Sequence, residues 1–213
     1  HGGGGIHISA NAKATMRDTE IRDNRSMIAG GVSHSWGAET TFERCIIKNN
    51  DATIRGGGGF VFWSSGPVRI RECEIVDNTC AWNGGGVRAM FESPVVFQNT
   101  LIARNTSDRT GGGVWASDNT DLTFTNCTIT GNKGPETGGV GVWSSQATLK
   151  NTIVWGNENI DLTVTMGGTS EVTYSDIGSE YAGKPSINPG TYLVETQRMS
   201  WPGEGNISSD PLF

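Results

Sequence analysis

Phe124-Thr125-Asn126-Cys127-Thr128-Ile129-Thr130-Gly131-Asn132, followed after a short gap by Thr137-Gly138-Gly139-Val140, contains one complete statement of the pattern that decides the fold. An apolar anchor leads to a corner asparagine, a small Cys, an inward Ile, a closing asparagine, and glycines that restart an apolar strand. The same order recurs on both sides of this stretch. The residues that follow the glycine runs are Ile6, Val32, Phe60, Val87, Val114 and Val140, at spacings of 26, 28, 27, 27 and 26. The closing asparagines, Asn24, Asn50, Asn78, Asn105, Asn132 and Asn157, keep the same beat. Two landmarks with one fixed period mark a stacked repeat protein.

Within each repeat, three short segments alternate apolar and polar residues at period two, the strand signature, and no helical period appears. The first includes Ile6-His7-Ile8 and Val114-Trp115-Ala116, with the outer members facing inward. The second places Met16, Phe42, Ile70, Phe97, Phe124 and Leu149 in one register, and the third aligns Ile21, Ile47, Ile75, Ile102, Ile129 and Val154. Three strands per coil of about 27 residues predict an all-β parallel β-helix of six full coils and a partial seventh over residues 1–177. A single coil has one core layer and would not fold alone. The corners are predicted to be left-handed at Asp18, Arg44, Glu72, Asn99, Asn126, Asn151 and Asp176, with the closing asparagines and glycines doing the same at the next corner. Residues 178–213, carrying Pro185, Pro189, Pro202 and Pro211, are expected to be irregular and to cap or flank the helix, since a bare last coil exposes a sheet edge.

Cys45, Cys73 and Cys127 occupy one slot of the repeat, shared with Thr19, Thr100 and Thr152, while Cys80 lies elsewhere. Side chains of stacked coils point the same way, so the slot predicts a column of thiols rather than a bridge, and no Cys-x-x-Cys zinc pattern is present. A formal charge of −6 without a basic run argues against a nucleic-acid partner. No apolar run approaches the length of a membrane helix.

Large aromatics gather at the outward positions of the first strand and its following turn: Trp36, Trp63, Phe91, Trp115 and Trp143, with Arg88 and His7 among them. The expectation is a stripe along the axis on which sugar rings stack; the competing reading is an apolar face covered by the C-terminal segment or a second subunit. His34 is expected to be buried and hydrogen-bonded, and Arg17, Glu43 and Arg71 to form a structural charge ladder. No metal site is expected, with Asp118 and Asp121 a weak calcium candidate explained equally by an Asx-turn. His7 and Arg88, three coils apart, cannot act on one bond.

The asparagine and glycine units quoted above resemble the repeats of polymorphic outer-membrane proteins and related pectate-lyase-like bacterial surface β-helices. That resemblance implies a right-handed helix, secreted or displayed at the cell surface, that binds a polysaccharide or surface protein in an adhesin-like role. The alternative it implies is a fragment of a polysaccharide lyase or glycoside hydrolase acting on acidic polysaccharide. The tail Gly203–Phe213 also resembles the segment that ends such helices in larger exported proteins, and the start at His1 inside a repeat fits a piece of a longer chain.

Overall fold

A computed structural model describes residues 2–183, 204–206 and 211. Every named strand pairs in parallel with the equivalent strand one coil away. The first sheet has eight strands, Ile6–Ile8, Val32–Ser35, Phe60–Trp63, Val87–Met90, Val114–Ser117, Val140–Trp143, Leu162–Thr165 and Glu180–Gly183. The second runs from Lys13–Arg17 to Thr169–Thr173 and the third from Glu20–Arg22 to Asp176–Ile177, each seven strands deep. A fourth, shorter sheet stacks Arg25–Ser26, Asp51–Ala52, Thr79–Cys80 and Thr106–Ser107. Two-residue strands are too short to show a period, which is why the repeat displayed only three.

The registers put like on like. Ile21, Ile47, Ile75, Ile102, Ile129, Val154 and Ile177 pair in succession on the third sheet. On the second sheet Met16, Phe42, Ile70, Phe97, Phe124, Leu149 and Val172 do the same. Phe97 and Phe124 stack with ring centroids 4.8 Å apart, and Phe42 meets Phe60 edge-on at 4.9 Å. Removing one such ring costs about 3–5 kcal/mol, because the coils on either side cannot collapse into the gap.

The corner after the second sheet is left-handed at Asp18, Arg44, Glu72, Asn99, Asn126 and Asn151, with φ from 49° to 54°. The seventh member is Tyr174, at φ 50°, and not Asp176. Val172 is the buried anchor of that coil, so the corner falls two residues after it, and Asp176 pairs with Ile153 in the third sheet.

At the next corner the left-handed residues are those before the closing asparagines: Asp23, Asn49, Asp77, Arg104, Gly131 and Gly156. The asparagines themselves serve differently. Asn50 donates its backbone amide and its Nδ2 to Asn78 Oδ1 at 3.0 and 2.9 Å, and Nδ2 also reaches the Ile21 carbonyl. Asn78, Asn105 and Asn132 repeat the arrangement, each donating to the next coil. Stacking at the coil rise aligns each carboxamide with the next, so the buried polar groups satisfy one another.

The small-residue slot forms a parallel column. Cys45 N–H donates to Cys73 Sγ at 3.4 Å, Cys127 N–H to Thr152 Oγ1, and Thr152 N–H to Ser175 Oγ. All four thiols are free and buried. Burial pushes Cys73 and Cys80 up to about 11, so both are neutral thiols.

Arg17 pairs with Glu43 at 2.7 Å along the outer face of the second sheet, but the ladder stops there: the second partner of Glu43 is the corner residue Arg44, and among the described residues Arg71 forms no ion pair. At the C-terminal end Asn206 Oδ1 accepts from Ser175 N–H, and Tyr174 N–H donates to the Glu204 carbonyl, so residues 204–206 sit where an eighth coil's corner would. The segment expected to be irregular from residue 178 instead begins with Glu180–Gly183, which pairs with Leu162–Thr165 and continues the first sheet, and residues 184–203 lie outside the described residues.

Candidate binding cleft on the first sheet

Outward positions of the first sheet line up along the axis: His7, Ser33, Val61, Arg88, Trp115 and Gly141 in one column, with Ser35, Trp63, Met90 and Ser117 in the next. The segment between the fourth sheet and the first folds against this face. Gly56, at φ 90°, lies so close to Val61 that an added Cβ would come within 2.8 Å of its methyl group. Glycine is required there by both conformation and space.

Between that segment and the turn on the far side runs a cleft of about 450 Å³. Its floor is Ser33, Ser35, Val61, Arg88 and Met90; one wall is Ile28, Arg55 and Gly56, the other Trp36, Trp63, Phe91 and Asp118. Trp63 and Phe91 lean together with centroids 4.8 Å apart. Trp36 and Phe91 hold φ of 58° and 56°, a left-handed conformation that costs a non-glycine residue about 1–2 kcal/mol. The same turn is left-handed in the other coils, at Ala10, Asn11, Ser64, Asp118, Asn119, Ser144 and Met166, so the conformation belongs to the corner and the aromatic rings are what these two coils add.

Arg88 is the chemical oddity of the floor. Its Nε is buried with no hydrogen-bond partner, and among the described residues neither Arg88 nor Arg55 forms an ion pair. Burial lowers the Arg88 pKa from the ordinary arginine value, against the opposing influence of Cys80 and Asp118. Cys80 itself is committed elsewhere, its thiol donating to the Gly56 carbonyl.

The structure divides the expected aromatic stripe in two. Trp36, Trp63 and Phe91 are exposed and line the cleft with Arg88. Trp115 is only 6% exposed and packs on the half-buried Trp143, centroids 5.8 Å apart. The reason is the next coil: Gly141 presents no side chain, and the Trp115 indole lies in the space one would fill. His7 is exposed on Ile6–Ile8 and is not part of the cleft lining.

His34 is fully buried, with Nδ1 2.8 Å from Ser65 Oγ and Nε2 2.6 Å from Thr40 Oγ1, as its sequence position suggested. Asp118 and Asp121 do not converge: Asp118 Oδ2 accepts from Ser117 Oγ, and Asp121 opens the second-sheet strand Asp121–Thr125. Among the described residues no cluster of three His, Cys, Asp or Glu could hold a metal ion.

Ile28 and Arg55 were missed from the sequence, as was the cation–π pair of Arg109 over Trp82 at 4.2 Å. A signal was present: Met27, Ile54, Trp82 and Arg109 recur at the repeat period just before the glycines.

A family model described as a right-handed β-helix region matches residues 1–177. The chain belongs to the right-handed β-helix family. The handedness implied by the quoted motifs is that of this family. No curated protein and no solved structure matches the chain. Among the described residues of this β-helix, no helix is long and apolar enough to cross a membrane.

Proposed function

We propose that this β-helix is a non-catalytic glycan-binding module, secreted or displayed at a bacterial cell surface. The observation that carries the reading is the cleft in which Trp36, Trp63 and Phe91 stand around Arg88. Aromatic faces suit sugar rings, Ser33 and Ser35 on the floor offer hydroxyl partners, and the cleft falls within the usual range of small-ligand sites. Trp36, Trp63 and Phe91 leave their rings exposed although neighbouring coils place Ala10, Ser64, Asn119 and Ser144 at this turn, which favours a role for the aromatic faces outside the core.

The test is a glycan array followed by titration calorimetry on the best binders. Loss of about tenfold in affinity on Trp63→Ala, with unfolding unchanged, supports the reading; unchanged affinity in the Trp36→Ala/Trp63→Ala double variant for every bound glycan refutes it.

A second reading, a lyase acting on acidic polysaccharide, draws support from Arg88 and Arg55, two cations in one cleft suited to hold a uronate carboxylate. Turnover of uronate polymers, assayed with and without calcium, distinguishes the two.

A further inference from the structure

The cleft is open at one end and blind at the other. Toward the N-terminal coil its floor continues from Ser33 to the exposed His7, with the exposed Gly2, Gly4 and Gly5 beside it. Toward the C-terminal coils the lining of the floor ends at Arg88 and Met90, and the next residue in the column, Trp115, lies over Gly141 outside it. Two coils further along, wall and floor are tied by the hydroxyls of Thr137 and Thr163, 2.7 Å apart. The open run from Ser33 through Val61 to Arg88 spans two coil rises, about 10 Å.

Resting on the glycan-binding reading, the geometry points to a chain-end site: the cleft takes the terminal sugar of an oligosaccharide, and that sugar bears a carboxylate that pairs with Arg88 at the blind end. A mid-chain segment needs an exit, and the lining of the floor ends one coil short of Trp115. The acid is called for by the guanidinium. A buried donor with no partner is costly, and a planar carboxylate satisfies a guanidinium with paired charge-assisted hydrogen bonds. Arg55 on the wall adds a second unpaired cation, against the single carboxylate of Asp118 on the opposite rim, which is exposed and already accepts from Ser117. The cleft lining is thus net positive on a chain whose formal charge is −6. Trp115 is the first residue of the column beyond the lining, and its indole, turned onto Gly141, is a specificity-determining element through the groove it leaves unformed there.

The experiment uses matched oligosaccharide triplets ending in glucuronic, galacturonic or sialic acid: the acid at the chain end, the same chain without it, and the same acid capped by a neutral sugar. Wild-type protein is expected to bind at least one end-acid member tenfold or more tightly than both its partners. Arg88→Gln should remove that preference, bringing the affinity for the end-acid member down to that of the acid-free chain in the same variant. Trp115→Ala should admit the capped member, bringing it within about threefold of the end-acid one. If Trp115→Ala fails to fold by circular dichroism, the wild-type comparison of capped and end-acid members and Arg88→Gln carry the test. Equal binding of capped and end-acid chains to wild type, or no gain from the acid, overturns the chain-end site and leaves glycan binding standing. Binding of short peptides with a free terminal carboxylate in preference to every sugar, or no saccharide binding at all, overturns both.

Discussion

Asn157 donates its backbone amide and its side-chain Nδ2 to the same oxygen, Asp161 Oδ1, at 2.9 and 2.7 Å, so the asparagine ladder ends on a carboxylate. Asp161 takes the place of a seventh asparagine, and its other oxygen accepts from Ser179 Oγ. Burial raises its pKa despite these donors. Asp161→Asn keeps the acceptor and removes the buried charge, so it is expected to match or exceed wild-type stability. Asp161→Ala strands both donors of Asn157 and should cost about 1–3 kcal/mol, read from urea midpoints.

In mid-ladder the penalty is larger. Asn78 accepts from Asn50 and donates to the Ile47 carbonyl and to Asn105, so truncation leaves buried groups unpaired on both neighbouring coils. Asn78→Ala is expected to destabilise by about 3 kcal/mol or more, and hydrogen exchange should show faster opening of the flanking coils.

His34 is held neutral by burial, its pKa lowered from 6.5 to about 4. The unfolded chain takes up the proton first as pH falls, so folding loses stability between about pH 6.5 and 4 and not above. Denaturation at stepped pH should show this slope in wild type and a flattened one in His34→Leu.

At the cleft rim, backbone strain and ligand contact can be separated. Trp36→Gly relieves the left-handed conformation and Trp36→Ala does not, so the glycine variant should be the more stable by about 1 kcal/mol. Both lose the indole, and both should lose glycan affinity to the same extent.

How much of this was legible follows from what repeats. The columns through Ile75 and Phe97 were readable because stacking demands the same residue type at every turn. The ladder's membership was readable too, but not its chemistry: Asn49 and Asn50 look alike in sequence, and only the inward turn of Asn50 makes it the buried one. Fates at the cleft were hidden for the opposite reason. Trp63 and Trp115 are both tryptophans on first-sheet strands, yet whether each stands in solvent or lies down depends on the residue one coil further on: Met90 and Phe91 sit beside Trp63, while Gly141 leaves room for Trp115. That is a contact between positions about 26 residues apart, invisible to a window of local pattern.

The ladder has a consequence for how such a molecule changes length. Because Asn78, Asn105 and Asn132 offer the same acceptor to the coil before and the same donors to the coil after, the chain from Thr79 to Asn105 is a removable cassette: its excision would deliver Asn132 to Asn78 in place of Asn105, with Ile129 sliding beneath Ile75. The scaffold is therefore editable in whole turns, like links taken from a chain. The cleft is not, since the same excision would discard Arg88 and set Val61 against Trp115. Duplication and loss of coils can reshape this protein's reach freely, but its recognition surface is anchored to four particular turns.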